Sequence, residues 1–177
     1  MKKESRFLSL VLRHQPEKIG LKLDKAGWTS VSDLLQKMKL SGSEITLDDL
    51  KEIVETNDKK RFEFSKDLSK IRASQGHSVE VDLGLLSEIP PFTLYHGTSI
   101  DKVDSILKTG LQKRDRHHVH LSKDTITATS VGKRHGTPVL LEISSREMFT
   151  DGYKFYISAN GVWLTDEIPT KYIKIWK

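Results

Sequence analysis

Apolar residues in the first half of the chain fall mostly three and four places apart. Phe7, Leu8, Val11 and Leu12 predict a helix over residues 4–14, which Pro16 ends because proline disfavours helical backbone at the residue before it. Arg13 and His14 then sit at the helix C-terminus. The alternation Ile19, Leu21, Leu23 predicts a short strand, and Lys25-Ala26-Gly27 a turn leading to Trp28. Val31, Leu34, Leu35 and Met38 predict a second helix behind Ser30 and Asp33. Leu47, Leu50, Ile53 and Val54 predict a third behind Thr46 and Asp49, both starts having the spacing of a capping box. Asn57-Asp58-Lys59-Lys60 is a turn signal ahead of an alternating strand over 61–65, with 71–73 as its hairpin partner.

After Pro90-Pro91 the pattern changes to short strands separated by one or two helices. Residues 93–98 read as a strand running into a turn. Ser99 then caps a helix whose Ile100, Val103, Ile106 and Leu107 face a core and which Gly110 ends. A strand over 119–122, a helix over 124–131 and a continuous apolar strand over 138–143 follow, with further strands at 154–157, 162–165 and 172–176. The expected class is α+β in two domains, residues 1–88 and 89–177. Helix, small strand, two helices and hairpin is the order of a winged helix. A compact helical module with no nucleic-acid role fits the same order, since one fold hosts many functions.

With 177 residues, 36% hydrophobic and 30% charged, the chain can bury one substantial core or two small ones. No apolar run approaches the roughly 18–20 residues of a membrane helix, and the start lacks the apolar stretch of a secretory signal, so a cytoplasmic protein with no membrane partner is expected. The absence of cysteine excludes disulfides, thiolate zinc sites, iron–sulfur clusters and a cysteine nucleophile. The net charge of +5 is a mild bias toward polyanions. Residues 1–88 carry 16 basic and 15 acidic side chains and residues 89–177 carry 13 and 9, so the excess lies in the second half.

Three strings mix cations with turn-forming residues: Arg13-His14 before Pro16, Lys70 to Ser78, and Gly132-Lys133-Arg134-His135-Gly136. Guanidinium forks grip phosphate oxygens two at a time, and glycines let backbone N–H groups approach an anion, which suits a phosphorylated ligand. Taken singly, Arg13 and Arg134 also read as solvated charges at helix ends. Tyr95-His96-Gly97-Thr98 at a strand end suits a ligand-gripping turn, with a hydrogen-bonded structural histidine as the plainer reading. His117, His118 and His120 suggest metal, but strand alternation puts only His118 and His120 on one face and no acidic cluster joins them, so no metal is expected. GxGxxG in a βαβ context, GxxxxGK[ST] and GxSxG are all absent, so any nucleotide is held some other way.

Leu12-Arg13-His14, Ile71-Arg72-Ala73-Ser74-Gln75-Gly76-His77-Ser78, Tyr95-His96-Gly97-Thr98, His120-Leu121-Ser122, Val131 to Gly136 and Asn160-Gly161-Val162-Trp163-Leu164-Thr165, in this order, closely resemble the RNA 2'-phosphotransferase family (Tpt1/KptA) over nearly the whole chain. The resemblance implies a winged-helix-like N-terminal lobe joined to a C-terminal lobe of the ADP-ribosyltransferase fold. It implies transfer of an internal, splice-junction type RNA 2'-phosphate to NAD through an ADP-ribosylated 2'-phosphate. The products are 2'-hydroxyl RNA, nicotinamide and ADP-ribose 1'',2''-cyclic phosphate, with tRNA-like RNA as partner and NAD consumed. It places the catalytic residues on Arg13, His14, Arg72 and Arg134, the three arginines also contacting the phosphate of the RNA; Lys70, two residues before Arg72, is a candidate for a further phosphate contact, a solvated strand-edge lysine being the alternative. NAD binding falls on His96, Gly97, Thr98, Gly110, His120, Leu121 and Ser122, and the third motif position on Val162. The loop cations Lys113, Arg114 and Arg116 are candidates for the RNA backbone or the NAD diphosphate, a solvated loop being the alternative.

Two other readings stay open. An ADP-ribosyltransferase that caps terminal phosphates of RNA or DNA would use the same arginine clamp. A non-enzymatic winged-helix nucleic-acid binder is disfavoured by the near-neutral first half. A monomer is the default expectation.

Overall fold

In the computed structural model, which describes residues 2–177, the first half of the chain becomes three helices and one small sheet, and the chain divides into two units after Gly84. Helix α1 (Lys2–Arg13) buries Leu8, Val11 and Leu12. Pro16 opens a 3-10 turn, Pro16–Ile19, and Gly20 closes it at φ 67, a left-handed conformation. The strand expected over Ile19–Leu23 does not form. This segment follows the tight turn with no ladder partner, and its alternation only records that Leu21 is buried and Leu23 packs beside it.

The ladder starts later because of Asp24. Its Oδ1 accepts from the backbone N–H of Ala26 and of Trp28, both at 2.9 Å, which bends the chain through Gly27 into strand β1 (Thr29–Ser30). Helix α2 (Val31–Leu40) follows, Ser30 Oγ accepting from Asp33 N–H. Helix α3 (Leu47–Glu55) has both bonds of the capping box, between Thr46 and Asp49. Strands β2 (Phe62–Phe64) and β3 (Lys70–Ala73) are antiparallel, and β3 is central in the order β1-β3-β2. Fully buried Leu8, Leu12, Leu34, Met38, Leu50 and Ile71 form the core of this unit. Leu47 opens α3 on the solvent side instead of facing the core.

The second unit, Leu85–Lys177, holds three small antiparallel sheets. Strand β4 (Leu94–Ser99) leads into helix α4 (Ile100–Thr109), then β5 (Leu111–Gln112), β6 (Val119–Leu121), helix α5 (Thr125–Gly132), β7 (Pro138–Ile143) and helix α6 (Ser145–Thr150). Strands β8 (Tyr156–Ile157), β9 (Trp163–Thr165), β10 (Glu167–Ile168) and β11 (Ile173–Ile175) complete it. The sheet orders are β11-β7-β4, β6-β9-β8 and β10-β5. An isolated bridge between Tyr95 and Ser122 ties β4 to the end of β6.

On α4 only Val103 and Ile106 reach the core. Ile100 and Leu107 lie outside that narrow stripe and are exposed, and Ser99 offers no side-chain cap. Helix α6 and the two-residue β5–β10 ladder were not anticipated, being too short to show a period. Asp124 caps α5 by accepting from Thr127 N–H at 2.7 Å. No described helix is long and apolar enough to cross a membrane.

The placement of α5 depends on two glycines. A Cβ on Gly97 of β4 would lie 1.7 Å from the Ala128 carbonyl oxygen, and one on Gly132 would lie 2.8 Å from that of Thr98. Helix backbone therefore rests directly on strand backbone, which only a pair of missing side chains permits.

Candidate functional site

The first unit gathers Arg13, His14 and the string after β3. His14 continues the C-terminal turn of α1, its N–H donating to Leu10 O. The chain leaving β3 returns to this point: Ser78 N–H donates to Arg13 O at 2.9 Å and Val79 N–H to the same oxygen at 3.3 Å. These bonds satisfy a carbonyl that the helix end leaves without an intrahelical partner. The Ser78 hydroxyl lies 2.9 Å from His14 Nδ1. Between β3 and Ser78, the buried His77 packs close to Gly27, where a Cβ would meet its Nε2 at 3.3 Å.

Arg72 is held on three sides. Its Nε donates to Glu63 Oε1 at 2.7 Å, directly across the β2–β3 ladder. Its Nη1 donates to Ala26 O at 3.2 Å, and the guanidinium carbon stacks 4.4 Å from the centre of the Trp28 ring. An arginine so fixed presents its remaining donors in one direction, the property that bidentate phosphate binding requires. Lys70 shares the strand face of Arg72, by the two-residue alternation that sends Ile71 and Ala73 into the core, and it is exposed.

In the second unit β4 and β6 place His96 beside His120. His96 Nδ1 lies 3.0 Å from the His120 carbonyl oxygen. A carbonyl only accepts, so Nδ1 carries the hydrogen and Nε2 is the acceptor nitrogen of the neutral ring. Burial, together with the nearby cations Arg116 and Lys102 and His135, pushes the His96 imidazole below the ordinary histidine value, against the raising effect of that hydrogen bond. Arg116 Nη1 donates to His120 Nδ1 at 3.2 Å, which sets the opposite tautomer on His120. Ser122, two residues after His120, exchanges both backbone hydrogen bonds with Tyr95, and its side chain is half-buried.

The remaining expected site residues have other surroundings. The Leu121 side chain is in the core, and the residue is paired with Trp163 in the β6–β9 ladder, so its side chain is closed to a ligand. Thr98 is buried, and Gly97 is occupied by the carbonyl of Ala128. Gly110 is the C-cap of α4, with φ 80 and the Ile168 carbonyl where a Cβ would stand, so packing alone requires glycine there. Val162 belongs to a turn closed by Ser158, whose hydroxyl accepts from Val162 N–H at 3.1 Å. Arg134 is exposed in the turn that continues α5, between Lys133 and His135. Lys113, Arg114 and Arg116 lie in an exposed loop, Arg114 at φ 52. His118 stacks near Tyr156 and faces Asp166 at 3.9 Å. Among the described residues no group of three or more His, Asp or Glu side chains is arranged to hold a metal ion.

Sequence reasoning missed Glu63 and Trp28, and it named Arg116 only as a loop cation, without its contact to His120. The hairpin register would have found Glu63, since alternation on facing strands puts it opposite Arg72. Trp28 reaches Arg72 only through the Asp24 turn, for which the sequence gives no register.

A model of the family described as "RNA 2'-phosphotransferase, Tpt1 / KptA family" matches residues 1–167. A "Probable RNA 2'-phosphotransferase" of Flavobacterium johnsoniae is 55% identical over 170 residues, covering 96% of this chain and 93% of that protein. One of the same name from Fusobacterium nucleatum is 51% identical over 173 residues, 97% of each chain. A third, from Burkholderia pseudomallei, is 53% identical over 170 residues, 96% of this chain and 92% of the other.

Proposed function

The chain belongs to the RNA 2'-phosphotransferase, Tpt1/KptA family, and from that premise we propose that it removes an internal, splice-junction type 2'-phosphate from RNA, with NAD as the second substrate. The observation that carries the reading is the docking of the β3 string onto the end of α1. It brings Ser78 to His14 in a unit where the same string supplies Arg72, held by Glu63, Ala26 and Trp28. We take the first unit as winged-helix-like and the second as an ADP-ribosyltransferase lobe.

The donor set of the second unit suits an NAD ribose and carboxamide. His96 offers an acceptor nitrogen whose tautomer is locked by His120, and Ser122 and the Arg116-bound ring of His120 add donors. In the first step a phosphate oxygen of the RNA forms a bond to the anomeric carbon of the nicotinamide ribose. The bond to nicotinamide breaks, its electron pair leaving with the ring nitrogen. An anionic nucleophile needs no general base, which accounts for Val162 at the third motif position. Arg134 is assigned to aligning that phosphate. In the second step the ribose 2''-hydroxyl forms a bond to phosphorus and the bond to the RNA 2'-oxygen breaks. His14 takes the proton of the attacking hydroxyl and returns one to the leaving oxygen, while Arg13 and Arg72 hold the charge on the other phosphate oxygens.

The test is incubation with NAD and a short RNA bearing one internal 2'-monophosphate, followed by mass spectrometry of RNA and small molecules. Loss of phosphate together with nicotinamide and the cyclic phosphate of ADP-ribose supports the proposal. A terminally phosphorylated RNA that instead gains and keeps ADP-ribose as the only product assigns the chain to phosphate capping. RNA unchanged in both forms overturns the enzymatic reading.

A further inference from the structure

We infer that Ser78 is a positioning residue for the proton transfer assigned to His14, fixing the imidazole in the tautomer that leaves Nε2 to take a proton. The inference rests on the proposed role of His14. Its geometry is direct, with Ser78 Oγ 2.9 Å from His14 Nδ1. A hydroxyl can donate or accept here, and the chemistry decides which. When the 2''-hydroxyl attacks phosphorus it must lose its proton to a nitrogen that carries none. With Nδ1 against Ser78, that nitrogen is Nε2, so Nδ1 carries the hydrogen and donates to Oγ. Once Nε2 takes the proton the same Nδ1–H···Oγ bond persists, now from a cation, so this contact need not reorient before the proton passes to the leaving RNA 2'-oxygen.

Two further observations separate this role from ordinary loop packing. The Ser78 backbone holds the loop by itself, through its N–H to Arg13 O at 2.9 Å, with Val79 N–H as a second bond to that oxygen. Ser78 is also exposed, so its hydroxyl fills no part of the core. The hydroxyl is thus not required to keep the loop on α1, and its removal isolates the contact to His14.

The experiment compares the wild-type protein with Ser78→Ala, Ser78→Thr, His14→Ala and the double variant. Each is taken through a single turnover on 2'-phosphorylated RNA with saturating NAD, the two steps being followed separately by nicotinamide release and by loss of the ADP-ribosylated RNA. Nitrogen-15 NMR of the histidines in wild type and Ser78→Ala reports the tautomer. The expected results are a roughly ten-fold slower second step in Ser78→Ala with nicotinamide release unchanged, the size of one hydrogen bond to a charged group. Ser78→Thr restores the rate, and Ser78→Ala has no further effect when His14 is alanine. In wild type the His14 Nδ1 resonance is the protonated one, and in Ser78→Ala the tautomers mix. A second step unchanged in Ser78→Ala, or a wild-type ring protonated at Nε2, overturns the inference while leaving His14 in place. If His14→Ala itself keeps a normal second step, the assigned role of His14 is what fails.

Discussion

The tightest approach in the second unit makes Gly97→Ala the most demanding perturbation of the fold. Its added Cβ would stand 1.7 Å from the Ala128 carbonyl oxygen and 2.9 Å from Gly132 N, against ordinary carbon–oxygen contacts beyond about 3.3 Å. One neighbour or the other must move by about 1.5 Å, and neither is a flexible side chain. Below lies β4, paired to β7 from Leu94 to Ser99; above lies α5, pinned at its other end by Gly132 against Thr98. Overpacking against side chains costs about 1–3 kcal/mol. Against backbone on both faces the expectation is about 4 kcal/mol, in the range reserved for severe core damage. Gly97 has no positive φ, so alanine brings no conformational strain to confuse the result. For a domain of this size, at roughly 4–8 °C per kcal/mol, calorimetry should find the transition of the second unit lowered by about 15–30 °C. Gly42→Ala, at φ 86 with open space around its Cβ, serves as the control at about 1 kcal/mol. A Gly97→Ala variant within 1 kcal/mol of wild type would refute the close packing of α5 on β4.

Three other predictions concern the two units separately. Thr46→Ala removes the capping-box acceptor of α3 and should destabilise the first unit by about 1 kcal/mol, measured by urea unfolding. Glu63→Gln weakens one of the three contacts on Arg72, and should slow phosphate removal roughly ten-fold with little change in melting temperature; an equal loss of stability would mean the pair is structural. His96, held below the ordinary histidine value by burial, gives a pH dependence of defined sign. The unfolded chain takes up that proton near pH 6.5 while the folded protein does not, so its contribution is complete above about pH 6.5 and is lost as pH falls through the lower folded value. Melting temperatures between pH 7.5 and 5 should therefore fall on the acid side. In His96→Gln the fall should be shallower, with His118, lowered by burial in the same direction, accounting for part of what remains.

Much of the secondary structure was legible because its signals are local. The caps at Ser30 and Thr46, the Gly110 stop and the 138–143 apolar run each define an element from a few neighbouring residues. The misreading of Ile19–Leu23 has a local cause too. Alternation means that every second residue is buried, and a chain that has just left the Gly20 turn achieves that for Leu21 and Leu23 without a strand partner. Helix α6 and the β5–β10 ladder were illegible for the opposite reason: six and two residues give no period to read, and their existence depends on what they pack against.

The site divides along the same line. The candidate residues were read from local strings, but the surroundings each one has depend on contacts far away in sequence. His14 meets Ser78 across 64 positions and Arg72 meets Ala26 across 46, while the short reach from Arg72 to Glu63 is fixed by hairpin register. The same contacts change what a mutation at a signature position can mean. Gly97 and Gly110 are among the residues proposed to bind NAD, yet each has a carbonyl oxygen, of Ala128 or Ile168, where its side chain would be. Loss of activity in an alanine variant of either would report displaced backbone before it reported a lost ligand contact. His96 and Ser122, whose polar atoms can be removed without adding volume, are the positions at which substitution tests the proposed NAD binding itself.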